Sequence, residues 1–383
     1  MKQTGLLALA IFFAAVLIPG ISNGADWNTT RLTDTAGDSF NPAIAVAGSN
    51  IYVVWDDDTV TADHPEIYFI SSSNGGATWK APRRLTHTPG VSLTPAIAVD
   101  GSNVYVVWED DTPGNFDIYL KKSVDGGITW QSAKRISSLK TNAYNPRIAA
   151  KGSILYLVWE EESSMSQGSE IYFKKSSDEG VTWQPAKNLS NHPGTSWLPV
   201  VTVNGSKVYV AWTDAVLVNY EICFSKSSDE GASWQAGKQI SYNSGDSRHP
   251  DIAIDGKRDY VVWVGNHVTA NTEIFFRKSN DEGKKWLAPI KLTSTTGLSW
   301  GPKIAVSGQN LIMVWYDYTP GRNGINLRIS SDKGVSWQAL QRLHKSTGDS
   351  RTPSIGTNGS DIYVVWAEWN ATLNNYEIYL TYN

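Results

Sequence analysis

The sequence predicts an all-β fold, a seven-bladed β-propeller built from four-stranded antiparallel blades. Three observations predict it. An eight-residue motif, Ser-x-Asp-x-Gly-x-Thr-Trp at 123–130, returns at 72–79, 176–183, 227–234, 279–286 and 330–337, with Asn74 in place of the aspartate in the first copy. The closing tryptophans lie 51, 53, 51, 52 and 51 residues apart, and a fixed period in this range marks a repeat architecture. Each period holds four short β-branched or aromatic segments bounded by turn residues, with no stretch of helical period between them, as propeller blades require.

Within each unit, strand A is entered through a proline: Pro42, Pro95, Pro146, Pro199, Pro250, Pro302 and Pro353. An alternating apolar run follows, such as 43–46, and then a glycine turn at Gly48, Gly101, Gly152, Gly205, Gly256, Gly308 and Gly359. Several of these are Asn-Gly or Asp-Gly pairs, which suit a two-residue hairpin turn of positive φ. Strand B is a run of five ending in tryptophan, at 51–55, 104–108, 155–159, 208–212, 259–263, 311–315 and 362–366. Strand C, as at 66–69, leads into the motif, and strand D resumes with a triplet like Arg84, Leu85 and Thr86. The last unit stops after its third strand, at 377–382, whereas Arg31, Leu32 and Thr33 have no hairpin partner before them. That first segment is expected to supply strand D of blade 7, with Trp27 near the place of a seventh motif tryptophan, so that the closed ring leaves no free sheet edge. Alternating strand direction puts the A–B turns and the motifs on one face and the B–C and D–A loops on the other. The first set repeats almost unchanged and reads as scaffold. The second set varies, and a site is expected there.

Residues 1–25 read as a secretory signal peptide, with Lys2, an apolar run over 6–18 and small residues up to Ala25. A retained anchor is the alternative, but the run is short for a membrane span. The expected plan is a signal peptide at 1–25 and one propeller domain at 26–383, secreted or at the cell surface. The chain has 33 Lys and Arg against 37 Asp and Glu, and loss of Lys2 leaves 32 − 37 = −5. No basic block marks a nucleic-acid face. A lone cysteine, Cys223, excludes an internal disulfide and stands where sister repeats have Tyr or Phe, so it reads as a buried thiol. A monomer with no cofactor and no metal is expected.

Seven of the seventeen tryptophans end B strands, six close motifs and Trp27 completes that set. Trp197, Trp300 and Trp369 are left over, all on the variable face, as ligand platforms or as caps of the channel. Two residues before each proline the ring reads Phe40, Leu93, Tyr144, Trp197, Arg248, Trp300 and Arg351. These seven are expected to circle the channel mouth, the aromatics offering faces to sugar rings and the arginines, both in Asp-Ser-Arg-x-Pro, offering forks to a carboxylate or sulfate. Acids follow the B-strand tryptophans: Asp56, Asp57 and Asp58; Glu109, Asp110 and Asp111; Glu160, Glu161 and Glu162; then Asp214, Asp317 and Glu368. Paired carboxylates are what glycosidic cleavage uses. The second acid, as at Asp57, Asp110 and Glu161, recurs in six blades and argues for a structural hydrogen bond, while the excess in blades 1 to 3 makes that side of the mouth negative. Tyr316 and Tyr318 single out blade 6. No zinc, P-loop or serine-hydrolase motif occurs, and His249 is the one histidine beside the expected mouth.

The six motifs resemble the Asp-box (BNR) repeat of the sialidase superfamily, and the resemblance covers almost the whole mature chain. It implies a propeller of that superfamily. It is not specific for activity, because Asp boxes also occur in other glycosidases, receptors and assembly factors. Sialidases are typically six-bladed and use an arginine triad, a tyrosine nucleophile with a glutamate partner and an aspartate acid/base. This chain counts seven blades, lacks the Phe/Tyr-Arg-Ile-Pro motif and offers two mouth arginines, Arg248 and Arg351, so no catalytic residue carries over. Three functions stay open: binding of a glycan or another extracellular ligand at the mouth, sialidase-like glycoside hydrolysis, and a protein-interaction scaffold at the cell envelope.

Overall fold

The computed structural model describes residues 27–60, 64–137, 141–162, 168–191, 194–216, 219–242, 244–266, 271–319, 324–344 and 348–383. The expected signal peptide, His192 and His267 lie outside them. The described chain forms seven four-stranded antiparallel sheets, each in the order A-B-C-D. The A strands are Ser39–Ala47, Ser92–Asp100, Ala143–Lys151, Ser196–Asn204, Ser247–Asp255, Ser299–Ser307 and Ser350–Asn358. The B strands are Asn50–Asp57, Asn103–Asp110, Ile154–Glu162, Lys207–Val216, Arg258–Asn266, Asn310–Asp317 and Asp361–Asn370. The C strands are Glu66–Ser72, Asp117–Ser123, Ser169–Ser176, Asn219–Ser227, Thr272–Ser279, Gly324–Ser330 and Asn375–Tyr382. Six D strands are two-residue segments from Arg83–Arg84 to Gln341–Arg342, and the seventh is Asn28–Arg31, which pairs antiparallel with the last C strand. The ring therefore closes as the sequence predicts, and Leu32 N donates to Ile378 O at 2.7 Å to extend the seam.

The B strands are longer than the five-residue runs expected. They continue two or more residues past the tryptophan and still pair with strand A, as Asp56 does with Phe40 and Asp57 with Ser39. The acids thus end strand B rather than open a loop, and the position two before each proline lies in strand A. The cause is a bulge at the same place in all seven A strands, just where the proline sits. Proline cannot donate to the ladder, and the bulge takes it out of register so that pairing resumes beyond it.

The core lies between blades. Tyr52, Val54 and Phe69 of blade 1 pack with Val104, Val106 and Trp108 of blade 2, and similar clusters follow around the ring. All seven B-strand tryptophans are fully buried; removing such a side chain costs roughly 3–5 kcal/mol. Each Asp box fastens a blade to the one before. Ser123 Oγ accepts from Gly127 N at 2.8 Å, and Asp125 accepts from Thr129 N at 2.8 Å and from Thr129 Oγ1 at 2.5 Å. The turn so fixed stands Trp130 edge-on against Phe69 of blade 1, with ring centroids 5.0 Å apart. Phe173–Trp234, Phe224–Trp286 and Phe276–Trp337 repeat that contact. The box also bonds the A–B turn of its own blade, Gly126 N to Ser102 O at 2.9 Å, which puts both on one face as expected. Cys223 is a buried free thiol whose pKa burial pushes up.

Asp259 departs from the pattern. It is the second residue of strand B of blade 5, where the other blades have Ile51, Val104, Leu155, Val208, Leu311 and Ile362. It is fully buried, and neither carboxylate oxygen has a hydrogen-bond partner. Burial raises its pKa from 3.8 to about 7, against the attraction of Lys226. A carboxyl whose folded pKa is raised loses stability as pH climbs from 3.8 through about 7. Asp259→Val is accordingly expected to gain about 2 kcal/mol in urea unfolding at pH 8 and far less at pH 5; an unchanged or lower midpoint at pH 8 refutes this.

Candidate functional site at the channel mouth

A cavity of about 290 Å³ lies on the ring axis and takes lining residues from all seven A strands. They are the prolines and their immediate neighbours, not the residues two before the proline. The residue just before each proline, Asn41, Thr94, Asn145, Leu198, His249, Gly301 or Thr352, has φ between 48° and 58°. This left-handed conformation is rare outside glycine. Only blade 6 uses glycine, and there a Cβ would lie 2.6 Å from the Tyr316 ring, so the bare backbone lets Tyr316 reach the channel wall. The residue after the proline is charged in three blades: Arg147, Asp251 and Lys303. Lys303 Nζ stands 4.0 Å from Asp251, Asp251 also accepts from Ile304 N at 2.8 Å, and Arg147 donates to Pro146 O at 2.8 Å. Burial lowers the pKa of both cations and raises that of Asp251. His249 is held down to about 4 by burial, then by Lys303 and Arg248, and is neutral at pH 7.

The outer ring of Phe40, Tyr144, Trp197, Arg248, Trp300 and Arg351 stands outside this cavity, and its side chains already have partners. Aromatics that the sequence reading missed, at the start of C strands or just before it, wedge between them. Phe116 packs on Tyr144 (5.2 Å), Tyr220 on Trp197 (4.8 Å) and Tyr376 on Phe40 (4.5 Å). Arg248 lies 4.2 Å over Tyr220, and Arg351 lies 5.3 Å over Tyr376. Trp369 meets Tyr376 edge-on at 5.3 Å, and Trp300 meets His249 at 5.2 Å. Each arginine is also paired with the aspartate two residues before it: Arg248 Nη2 is 2.8 Å from Asp246, and Arg351 is 2.5 Å from Asp349. Asp349 accepts from Tyr376 Oη at 2.7 Å and is hydrogen-bonded to Tyr318, whose ring lies 5.4 Å from that of Tyr316. The repeated Asp-Ser-Arg triplet was the sequence signal for these pairs.

The acids after the tryptophans divide into two sets. Asp57, Asp110 and Glu161 are buried inside their own blades and accept the indole N–H of Trp55 (3.2 Å), Trp108 (3.3 Å) and Trp159 (2.6 Å). Asp214 and Glu368 do the same in blades 4 and 7. The first acids, Asp56, Glu109 and Glu160, reach the next blade and accept the N–H of its left-handed residue: Thr94 at 3.3 Å, Asn145 at 2.6 Å and Leu198 at 3.1 Å. Burial raises all three, Asp56 and Glu109 to about 7. Beside Arg248 and Trp300 a second cavity of about 270 Å³ opens between blades 5 and 6, lined also by Asp246, Val264, Asn266 and Thr272. Among the described residues no cluster of three metal-ligating side chains occurs.

Seven blades, each pinned by a box or its N-terminal equivalent and opening to a polar mouth, define an Asp-box propeller. The chain belongs to the BNR repeat-like domain family, whose model matches residues 103–364. Its fold is shared with several solved structures. A polysaccharide lyase, Uly1, superposes with a TM-score of 0.61 at 10% identity, covering 89% of either chain. The intramolecular trans-sialidase of Ruminococcus gnavus gives 0.52 at 14% identity, over 92% of this chain and 97% of that one. An α-L-arabinofuranosidase of Fusarium graminearum gives 0.53 at 13% identity, over 76% and 93%.

The opposed pKa shifts set a pH profile. Hydrogen bonds from Thr129 and Thr182 hold the box carboxyls of Asp125 and Asp178 down to about 2, so their contribution is present above the ordinary 3.8 and lost as pH falls to 2. Asp56, Glu109 and Glu161, raised by burial to about 7, weaken the fold as pH rises from the ordinary carboxyl range through 7. Thermal midpoints are expected to peak between about pH 4 and 5 and to decline toward pH 8, with the alkaline decline shallower in Glu109→Gln. A flat profile from pH 5 to 8 contradicts the assignment.

Proposed function

We propose that this is an exported, monomeric propeller that binds carbohydrate at the channel mouth, in the cleft between blades 5 and 6. The cleft itself carries the reading. It offers the indole of Trp300 as a wall, the Arg248–Asp246 pair as linked donor and acceptor, and the amide of Asn266 and hydroxyl of Thr272 near an apolar floor at Val264. A recess in which four polar side chains stand beside one apolar and one aromatic side chain is more polar than a usual drug-like pocket, and an aromatic face beside paired donors and acceptors suits a sugar ring. Three proteins of the same fold are named for carbohydrate chemistry, as lyase, trans-sialidase and arabinofuranosidase, which favours a glycan or glycoconjugate over a nucleic acid. The apolar segment at 6–18 supports export.

Glycoside hydrolysis is a second reading, and the carboxyls of Asp56 and Glu109 favour it, since a pKa near 7 lets a carboxyl carry a proton at neutral pH. Both are tied to backbone N–H groups of the next blade, which is why binding is preferred. Calorimetry against an oligosaccharide panel is expected to show a loss of tenfold or more in affinity in Trp300→Ala and in Arg248→Ala, with thermal midpoints close to the parent. Unchanged binding in both variants sinks the cleft as the site. Turnover of a fluorogenic glycoside panel, abolished in Glu109→Gln, would instead establish the hydrolase.

A further inference from the structure

We infer that the glycan taken at this mouth is uncharged, and that the mouth discriminates against acidic sugars; the inference rests on the carbohydrate reading above. The two arginines that an acidic sugar would seek are already neutralised by their own loops. Asp246 lies 2.8 Å from Arg248 and Asp349 lies 2.5 Å from Arg351, each two residues upstream in the same Asp-Ser-Arg triplet. Their guanidinium faces are used as well, Arg248 against Tyr220 at 4.2 Å and Arg351 against Tyr376 at 5.3 Å. Stacking and pairing together fix each head group. At Arg248, which lines the cleft, what remains open is an edge of N–H donors beside the Asp246 carboxylate, the combination that vicinal hydroxyls complete. A carboxylate or sulfate arriving at either arginine meets the neighbouring aspartate, with like charges side by side.

The remaining mouth charges point the same way. The channel cations Arg147 and Lys303 share Asp251, and Arg147 is also within the field of Glu109 and Glu160. The far half of the mouth, from blade 1 to blade 3, carries Asp56, Glu109 and Glu160. Four cations thus face six carboxyl groups, and even with Asp56 and Glu109 protonated, as their pKa near 7 allows, the balance is 4 − 4 = 0 and no excess positive charge is left for an acidic sugar. In the cleft the other polar side chains, Asn266 and Thr272, are uncharged. Asp246 is held in place independently of Arg248, since it also accepts from Tyr220 N at 3.1 Å, a bond that an asparagine at that position retains.

The test uses the full chain on two sets of oligosaccharides, one of neutral hexose and pentose chains and one of sialylated, uronate or sulfated chains. Binding is expected on the neutral set alone, with affinity changing less than twofold between low and high salt, because no ion pair forms with the ligand. Asp246→Asn is expected to weaken neutral binding fivefold or more and to create binding to the acidic set that salt weakens. Parent binding to acidic chains that is lost in Arg248→Met overturns the charge inference and leaves the carbohydrate reading standing. Preference for an amino-sugar polycation also overturns the charge inference alone. Binding to neither set overturns the carbohydrate reading and this inference with it. Should Asp246→Asn lower the thermal midpoint, the binding of the unaltered chain to the two sets at low and high salt decides the test by itself.

Discussion

Seven times around one axis, the residue before a proline is held in the left-handed backbone region, and six of the seven are not glycine. Such a conformation costs on the order of 1–3 kcal/mol per residue, and it survives only where the surroundings leave no alternative. Much of the molecule follows from it. The bulge takes the proline out of the ladder, turns the preceding residue toward the channel and brings the start of strand A back into register with the end of strand B. That register is what places the acids after each tryptophan against Ser39, Ser92 and their counterparts, at 2.7 Å in both of those cases. The opposing gain comes from strand B, a fully buried run whose tryptophan packs between blades and whose indole N–H is satisfied by the second acid in five blades.

The two acid positions, one residue apart, do different work because successive strand residues face opposite ways. The second acid turns into its own blade. The first turns toward the neighbour and receives the N–H that the left-handed residue presents. Blades 1 to 3 have this second latch, whereas Thr213, Val264, Tyr316 and Ala367 stand at its place in blades 4 to 7. The ring is therefore asymmetric. One half is clasped by buried carboxylates, and the other half is filled at the same level by Trp197, Trp300, Tyr316, Tyr318 and the two arginine loops.

That asymmetry separates what the sequence shows from what it hides. The blade count, the strand order, the sealing of blade 7 by Asn28–Arg31 and the two faces are legible because each depends on local signals repeated many times. The structural role of Asp57, Asp110 and Glu161 is legible for the same reason, since recurrence marks scaffold. The partners of the outer ring are not. Phe116, Tyr220 and Tyr376 stand at the start of a C strand or just before it, where other blades have unrelated residues, and nothing in local periodicity ties them to Tyr144, Trp197 or Phe40. The neutralisation of Arg248 and Arg351 was written in the sequence, two residues upstream, but an i to i+2 pair is close only because strand A begins at the serine between them. The channel wall was misplaced by a single residue, because the bulge rotates the side chain before the proline inward and leaves the one before it outside.

The cleft between blades 5 and 6 lies where the repeat loses its carboxylates. Blade 5 has Val264 and Gly265 in the positions that hold Asp56 and Asp57 in blade 1, so it has neither the latch to the next blade nor the acceptor for its own tryptophan. Trp263 Nε1 is accordingly a buried donor without a partner, a loss that costs about 1–3 kcal/mol. Blade 6 adds a second departure, Gly301 in front of its proline, which admits Tyr316 to the channel wall. Neither change helps the fold. Only the first reaches the cleft, where Val264 leaves an apolar floor at the place of a carboxylate in blades 1 to 3; the second opens the channel wall to Tyr316. Blade 5 is where the repeat gives up both acids at once, and a repeat that departs most from its own pattern at one junction does so where an open surface is of more use than a sealed one.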